Sequence, residues 1–350
     1  MLRQILNTAP STLAEQRRPP SGLAALSTSA TRERPLPVPE AADEADPLAE
    51  LRQARGWVDQ MDERQLWGML TRIRWPYGPR CPHCGEQDPH YLRLIDPDYR
   101  GGLGRWLCLV CAEAGDPGEG GTFTPLSGTI LDGMRMDVRT LWLVVEMFAD
   151  GQASVETADE ARVDRHTTDR LFRLLRAAIY DSRSLEPLAL GPEDVTELDE
   201  VYITAGLKGR AGGLPLERQT RSGAQVYTDS YCIYHFLSRD GYQHRVVNHS
   251  AGRYALDLDG DGRCEAHCNT MECTWSWLRQ MIRTYRGVSK VYLPLYVAQF
   301  EFPFNRRHKS RWNRTLDVLQ VAFQTEAAVA ADLLARVESA QLAEVCPVAG

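Results

Sequence analysis

Four cysteines in two Cys-x-x-Cys pairs form the most specific chemical signal in the sequence: Cys81 with Cys84, and Cys108 with Cys111. Each pair can fold back so that both sulfurs face one point, and two such turns complete a tetrahedral thiolate site. Gly85 follows the first pair, where such a turn needs a residue that tolerates positive φ. We therefore predict a structural Zn²⁺ ion; unrelated cysteines and an iron–sulfur or redox site are the alternatives.

Three carboxylates form a second candidate site. Asp199 lies within the strand-like segment 195–203, Asp229 ends a second strand-like segment, and Glu272 stands at the start of a predicted helix over 269–285. Acids on strands are costly to bury unless they bind cations. If the three converge, they could hold a pair of Mg²⁺ or Mn²⁺ ions, which stabilise both the attacking and the leaving oxygen in phosphoryl transfer. The alternative is that each acid is an ordinary surface residue.

Basic residues follow Glu272 at helical spacing. Arg279 lies seven residues later and hence on the same helix face, where it could meet a phosphate, and Arg283 and Arg286 extend that stripe. Between Met271 and Arg314 there are nine Lys and Arg residues and two acids, interleaved with tryptophan and tyrosine. This pattern is typical of phosphate contact and base stacking. A solvated helix followed by a basic loop would also explain it.

A pair of short helices is predicted upstream of the acids. The segment 153–161 has a helical apolar pattern, Val163-Asp164 is a turn, and Asp164 is placed to cap a helix that continues to Ala178. The polar residues at the start of the second helix would meet DNA in a helix-turn-helix: Arg165, His166, Thr167 and Arg170. An ordinary helical hairpin is the alternative.

Composition limits the classes of protein to which the chain can belong. Its 350 residues are 43% hydrophobic and carry a formal net charge of −7, so positive charge for a polyanion must be collected locally. The sequence contains no apolar run of about 18 residues, so no membrane span is predicted. Because the N-terminus has no signal-type apolar core and the nine cysteines are an odd count, a reduced, cytoplasmic compartment is favoured.

These features predict a multidomain chain of mixed α+β and α/β class. A disordered N-terminus rich in Pro, Ala, Ser and Arg, for which a transit peptide is the alternative, precedes the folded units. The predicted units are a disordered segment 1–45, a helical lead-in 46–80, a zinc ribbon 81–125, a helix-turn-helix 137–185, a mixed domain 193–315 and a C-terminal helix 316–350.

The motifs in this order resemble those of bacterial insertion-sequence DDE transposases with an N-terminal zinc ribbon, the ISXO-like group. The resemblance covers about residues 50–315 and includes Leu-Asp-Glu-Val-Tyr, Val-Tyr-Thr-Asp, Val-Asn-His-Ser-Ala-Gly-Arg-Tyr, Cys-Asn-Thr-Met-Glu and Glu-Phe-x-Phe-Asn-Arg-Arg. It implies an RNase H-like domain that cleaves and transfers DNA strands with two metal ions. It makes Asp199, Asp229 and Glu272 the catalytic acids, with Asn269 a weaker candidate for the third position.

The resemblance also implies partners. These are double-stranded DNA carrying the terminal inverted repeats of the element, target DNA, and a second copy of the chain, because two DNA ends must be brought together. The protein would then act at the bacterial nucleoid.

One interval departs from the resemblance. Only 29 residues separate Asp199 from Asp229, whereas two further strands and a helix need upward of roughly 35. The Gly- and Arg-rich stretch 207–223 has no strand pattern, so we predict that the RNase H-like domain lacks an internal segment and that its first strand is unpaired on one side. An active transposase is the leading hypothesis. A catalytically defective DNA-binding remnant, in which residues 46–180 still fold, and a zinc-ribbon transcription factor are the alternatives.

Overall fold

The computed structural model describes most of the chain between residues 60 and 339, together with a strand at residues 2–7. The described residues are 2–7, 60–114, 121–183, 195–201, 225–230, 232–248, 251–252, 255–260, 262, 264, 266–267, 269–289 and 291–339.

The described residues form ten α-helices and nine β-strands. The helices are α1 Glu63–Arg74, α2 Leu109–Ala114, α3 Val138–Ala149, α4 Ser154–Ala161, α5 Arg165–Asp181, α6 Phe236–Arg239, α7 Asn269–Thr284, α8 Leu293–Asn305, α9 Arg311–Gln324 and α10 Ala327–Glu338. The strands are β1 Leu2–Asn7, β2 Leu92–Asp96, β3 Arg105–Cys108, β4 Thr122–Phe123, β5 Val195–Val201, β6 Gln225–Thr228, β7 Gln243–Val246, β8 Ala255–Leu256 and β9 Ala266–His267.

The cysteine-containing segment folds around a three-stranded antiparallel sheet in the order β2-β3-β4. Its core is small: Trp75, from the end of α1, packs edge-on against Trp106 and Phe123, with ring centroids 6.2 and 5.8 Å away. Gly121 is required beside this sheet because its φ is +72° and an added Cβ would lie 2.7 Å from the carbonyl oxygen of Cys108. So few large apolar side chains bury little surface, and Cys81, Cys108 and Cys111 complete this core.

Side chains cap the N-termini of helices α1, α3 and α5. Asp62 and Gln65 form a reciprocal capping box at α1, and Asp137 accepts a hydrogen bond from the backbone N–H of Thr140 at α3. Asp164 accepts from the N–H groups of His166 and Thr167 and so begins α5 where the sequence predicts.

The helical core is built from two distant parts of the chain. Helices α8, α9 and α10 return to pack against α1, α3 and α5, so the sheet-forming segment is inserted between the two halves of one helical unit. The buried residues of this shared core include Leu66, Leu70, Leu141, Phe148, Leu171, Leu175, Leu295, Leu319, Phe323 and Leu333. From the sequence, these helices were expected to belong to separate units.

The predicted C-terminal helix over 316–350 is instead two helices in the described part of the chain. α9 already begins at Arg311, and Thr325 is extended between α9 and α10. The break has a long-range cause: Ile130 donates its N–H to the carbonyl oxygen of Thr325, and Ala327 donates to that of Gly128. Residues 340–350 of the predicted helix lie outside the described residues.

The second sheet has the order β1-β5-β6-β7. Strands β5, β6 and β7 are parallel, as expected for strands joined by crossovers, whereas β1 is antiparallel to β5. This pairing corrects two expectations. Leu2–Asn7 form a strand within the segment 1–45 that was predicted to be disordered, and the edge of β5 that was predicted to be unpaired is covered by β1. The stretch 207–223 lies outside the described residues.

Helix α7 joins the second sheet to the helical unit. It packs against β5, and its apolar side buries Met271, Trp275 and Leu278 against α8. None of the helices in the described ranges is both long and apolar enough to cross a membrane.

Candidate metal centres and nucleic-acid-binding residues

The four predicted cysteines converge on one point. Their sulfur atoms all lie within 4.8 Å of one another. The Sγ atoms of Cys81 and Cys111 are 3.7 Å apart, and those of Cys84 and Cys108 are 3.6 Å apart. Gly85 follows the first pair with φ +79°, as the turn requires.

The chemistry of this donor set fits a divalent cation. Burial raises the pKa of the Cys108 and Cys111 thiols, so these two need a positive charge beside them to ionise near neutral pH. Four sulfur ligands without a fifth position are typical of a structural Zn²⁺ site, in which metal binding contributes directly to folding.

The two strand acids occupy neighbouring register positions. β5 and β6 pair with Leu198 opposite Thr228, so Asp199 and Asp229 each follow one residue later on adjacent parallel strands. Asp229 is half-buried immediately after β6. The side chain of Asp199 lies outside the described part of the chain.

Glu272 lies in the first turn of α7 and is exposed. Asn269 is the first residue of that helix. Among the described side chains, the four cysteines are the group of His, Cys, Asp and Glu residues that could hold a metal ion. The convergence of Asp199, Asp229 and Glu272 therefore stays a prediction.

A histidine that no sequence pattern singles out lies beside Asp229. The Nε2 atom of His244, on β7, is 2.8 Å from the hydroxyl oxygen of Thr228, which donates to the backbone carbonyl of Asp229 at 2.7 Å. The pKa of His244 is lowered because its ring is partly buried and His235 places further positive charge nearby. This contact links β6 and β7 at the end of β6.

The basic segment after Glu272 divides into two sets. Arg279, Arg283 and Arg286 are exposed, as a phosphate contact requires. The later residues form ion pairs within the protein: Arg306 and Lys309 with Asp317, Arg311 with Glu146 and Asp150, and Arg314 with Asp150. These four cations help to hold α9 against α8 and α3, whereas, among the described residues, the three arginines of the first set carry no such contact to another element.

The aromatic residues of this segment divide in the same way. Trp275 and Trp312 are buried in the two apolar cores. The hydroxyl of Tyr285 donates to Gln299 at 3.3 Å inside the helical interface. Trp277 is 49% exposed on α7 and packs edge-on against Phe304. Of these aromatic residues, Trp277 is therefore the one whose ring a base could reach.

The predicted DNA-contacting residues of α5 form an exposed polar end of that helix. Arg165, His166, Thr167 and Arg170 are all exposed, whereas Thr168 turns inward and is fully buried. Arg162 ends α4 in the left-handed conformation, with φ +52°, which gives the short turn between the two helices. The bounds of both helices agree closely with the prediction.

A basic cleft next to the cysteine sheet was missed. It has a volume of about 570 Å³ and is lined by Arg100 and Arg105 beside β3 and by Arg135 in the segment that leads into α3. These arginines are scattered along the sequence without a motif, so no local signal could have identified them.

Comparison with known proteins identifies two of these regions. Residues 61–113 match the transposase zinc-ribbon domain, and residues 215–305 match the ISXO2-like transposase domain. The second range includes Asp229 and Glu272 and begins after Asp199. The chain is also similar to an uncharacterized protein in transposable element ISH50 of Halobacterium salinarum, with 26% identity over 293 residues, which are 69% of this chain and 90% of that protein. No solved structure matches.

These matches agree with the arrangement of the side chains. The zinc-ribbon match and the clustered thiols together support a structural zinc ion at Cys81, Cys84, Cys108 and Cys111. Transposase domains also imply that the protein binds DNA. The chain thus carries a region similar to the transposase zinc-ribbon domain, followed by a region similar to the ISXO2-like transposase domain.

Proposed function

We propose that this protein is a transposase that binds the ends of its element and cleaves and transfers DNA strands, with Asp199, Asp229 and Glu272 holding two Mg²⁺ or Mn²⁺ ions. The observation that supports the proposal best is the register of the second sheet. Asp199 and Asp229 stand at neighbouring positions on parallel strands β5 and β6, and the helix that carries Glu272 packs against β5. An RNase H-like domain that lacks its second and third strands would place its first strand beside its fourth in this way.

The proposed chemistry assigns a role to each residue. Two divalent cations at the acids would stabilise the attacking and leaving oxygens of a phosphodiester. The carboxylates of Asp229 and Glu272 are oxygen donors of the kind that Mg²⁺ prefers. Exposed Arg279, two turns after Glu272, would bind a neighbouring phosphate. The attacking hydroxyl belongs first to water and then to a DNA 3′ end.

Recognition of the element would come from α4 and α5 acting as a helix-turn-helix. The exposed start of α5 presents Arg165, His166, Thr167 and Arg170, the part of a recognition helix that reads base edges in the major groove. Because each element has two ends, we propose that the active species is a homodimer that holds both.

The proposal is tested by incubating the purified protein with duplex DNA that carries the element ends and Mg²⁺. We expect nicking and strand transfer that depend on the divalent ion and vanish in Asp229→Asn. Asp240→Asn is the matched control, since Asp240 is an exposed acid that ends α6. Loss of activity in Glu272→Gln but not in Asn269→Ala would assign the third position to Glu272.

Two results would contradict the proposal. Specific binding without nicking would identify a catalytically defective remnant. DNA binding with no response to divalent ions in any assay would favour a zinc-ribbon transcription factor.

A further inference from the structure

We propose that the cleft between the zinc ribbon and the start of α3 is a second DNA-binding site, which takes a backbone phosphate of duplex DNA. This inference rests on the proposed function only in that its ligand is DNA. The cleft of about 570 Å³ has one wall from β3 and β4 and the other from residues 124–135, which lead into α3.

Two arginines supply positive charge from opposite walls. Arg105 on β3 is exposed, and its guanidinium makes a single long hydrogen bond of 3.4 Å to Thr122 and lies 5.7 Å from the centre of the Tyr99 ring. Arg135 is exposed and, among the described residues, makes no hydrogen bond or ion pair. A guanidinium in this state keeps its donors available for the oxygen atoms of a phosphate.

A third arginine has a structural role in the same cleft. Arg100 donates to the carbonyl oxygens of Met134 and Met136 at 2.5 and 2.9 Å and lies 5.7 Å from the centre of the Trp67 ring. It therefore fixes the wall that carries Arg135 relative to the ribbon. The acid in the cleft, Asp132, accepts hydrogen bonds from the N–H groups of Gly128 and Gly133 and so closes a local turn.

The charge of the site indicates a polyanion. The whole chain has a formal net charge of −7, yet the cleft lining contains three arginines and one aspartate. Phosphate contacts of this kind fix the position of a protein on the duplex without reading its sequence. Since Arg100 already holds the two walls together, a phosphate held by Arg105 and Arg135 would position the ribbon and the start of α3 as one surface on the DNA.

The test compares the full-length variant Arg105→Ala/Arg135→Ala with the control Arg93→Ala/Arg245→Ala. The control removes two exposed arginines, one on ribbon strand β2 and one on β7, and both lie outside the cleft. Binding to a fluorescently labelled duplex of about 30 base pairs, long enough to cover a wide interface, is measured by anisotropy over a range of KCl concentrations. Zinc content and the thermal midpoint of each variant establish that the ribbon is folded.

We expect the cleft variant to bind roughly tenfold more weakly per arginine. Its plot of log K against log salt should be shallower by about 0.9 for each phosphate that the protein no longer neutralises. The control should keep the slope of the wild type. Equal effects in the two variants, or an unchanged slope in the cleft variant, would overturn the inference. Its failure is distinct from failure of the proposed function, since DNA nicking and the Asp229→Asn comparison do not depend on it.

Discussion

Substitution of Phe323 tests whether the two halves of the helical unit (α1, α3 and α5, and α8 to α10) depend on each other for stability. It lies fully buried on α9, in the core that α9 shares with α1 and α3, and its carbonyl oxygen accepts a hydrogen bond from Arg74 of α1. Phe323→Ala removes the ring from a site that rigid helices surround, so a cavity remains. Such substitutions cost about 3–5 kcal/mol, which is a large part of the roughly 5–15 kcal/mol that stabilises a typical domain.

The free energy of unfolding is measured by urea denaturation, followed by circular dichroism and tryptophan fluorescence. Trp142 of α3 and Trp312 of α9 lie with ring centroids 4.8 Å apart, so separation of the two halves changes the environment of both rings and contributes to the fluorescence change. Val329→Ala is the control, because Val329 is 39% exposed on α10 and should change stability by no more than about 0.5 kcal/mol.

The same reasoning predicts that a fragment of residues 46–180 does not fold, because it lacks the apolar surfaces of α8, α9 and α10. The hypothesis of a DNA-binding remnant, in contrast, requires this fragment to fold by itself. A fragment that unfolds cooperatively at the midpoint of the full chain, or a Phe323→Ala variant as stable as Val329→Ala, would refute the idea of a shared core.

Two further predictions concern the zinc site and pH. Cys108→Ser should abolish retention of zinc, measured by elemental analysis, while Cys232→Ser, which alters an exposed thiol, should keep one ion per chain; zinc retained by Cys108→Ser would contradict a four-sulfur site. Since the pKa of His244 is lowered on folding, the unfolded chain binds its proton more readily, and the free energy of unfolding should fall as pH drops below about 6.5. His244→Gln should flatten the pH dependence of the free energy of unfolding, whereas the exposed-residue control His308→Gln should leave it unchanged. Equal pH profiles in the two variants would show that His244 is not its source.

Local features of the fold could be predicted from the sequence because their causes are local. Cys-x-x-Cys spacing fixes the two metal-binding turns, and Asp164 caps α5 through residues only two and three positions away. Strand and helix bounds around Asp229 and Glu272 follow from periodicity alone. The neighbouring positions of Asp199 and Asp229 depend on the parallel register of β5 and β6, which no local pattern determines.

Other features depend on contacts between distant residues and leave no local pattern. An Ala-rich helical periodicity continues through Thr325, and the helix is broken where residues 325–327 pair with the backbone of Gly128 and Ile130. Arg311 and Arg314 look like available phosphate ligands until Asp150, far away in the sequence, is placed beside them. Nothing in residues 2–7 indicates that they pair with β5.

That pairing has a practical consequence for purification tags. β1 runs antiparallel to β5 with Leu2 opposite Val201 and Gln4 opposite Asp199. A fusion partner joined ahead of Leu2 would therefore emerge at the carboxyl end of β5, the edge of the sheet where Asp199 and Asp229 stand. An affinity handle at that terminus would therefore lie in the way of DNA at the proposed catalytic edge.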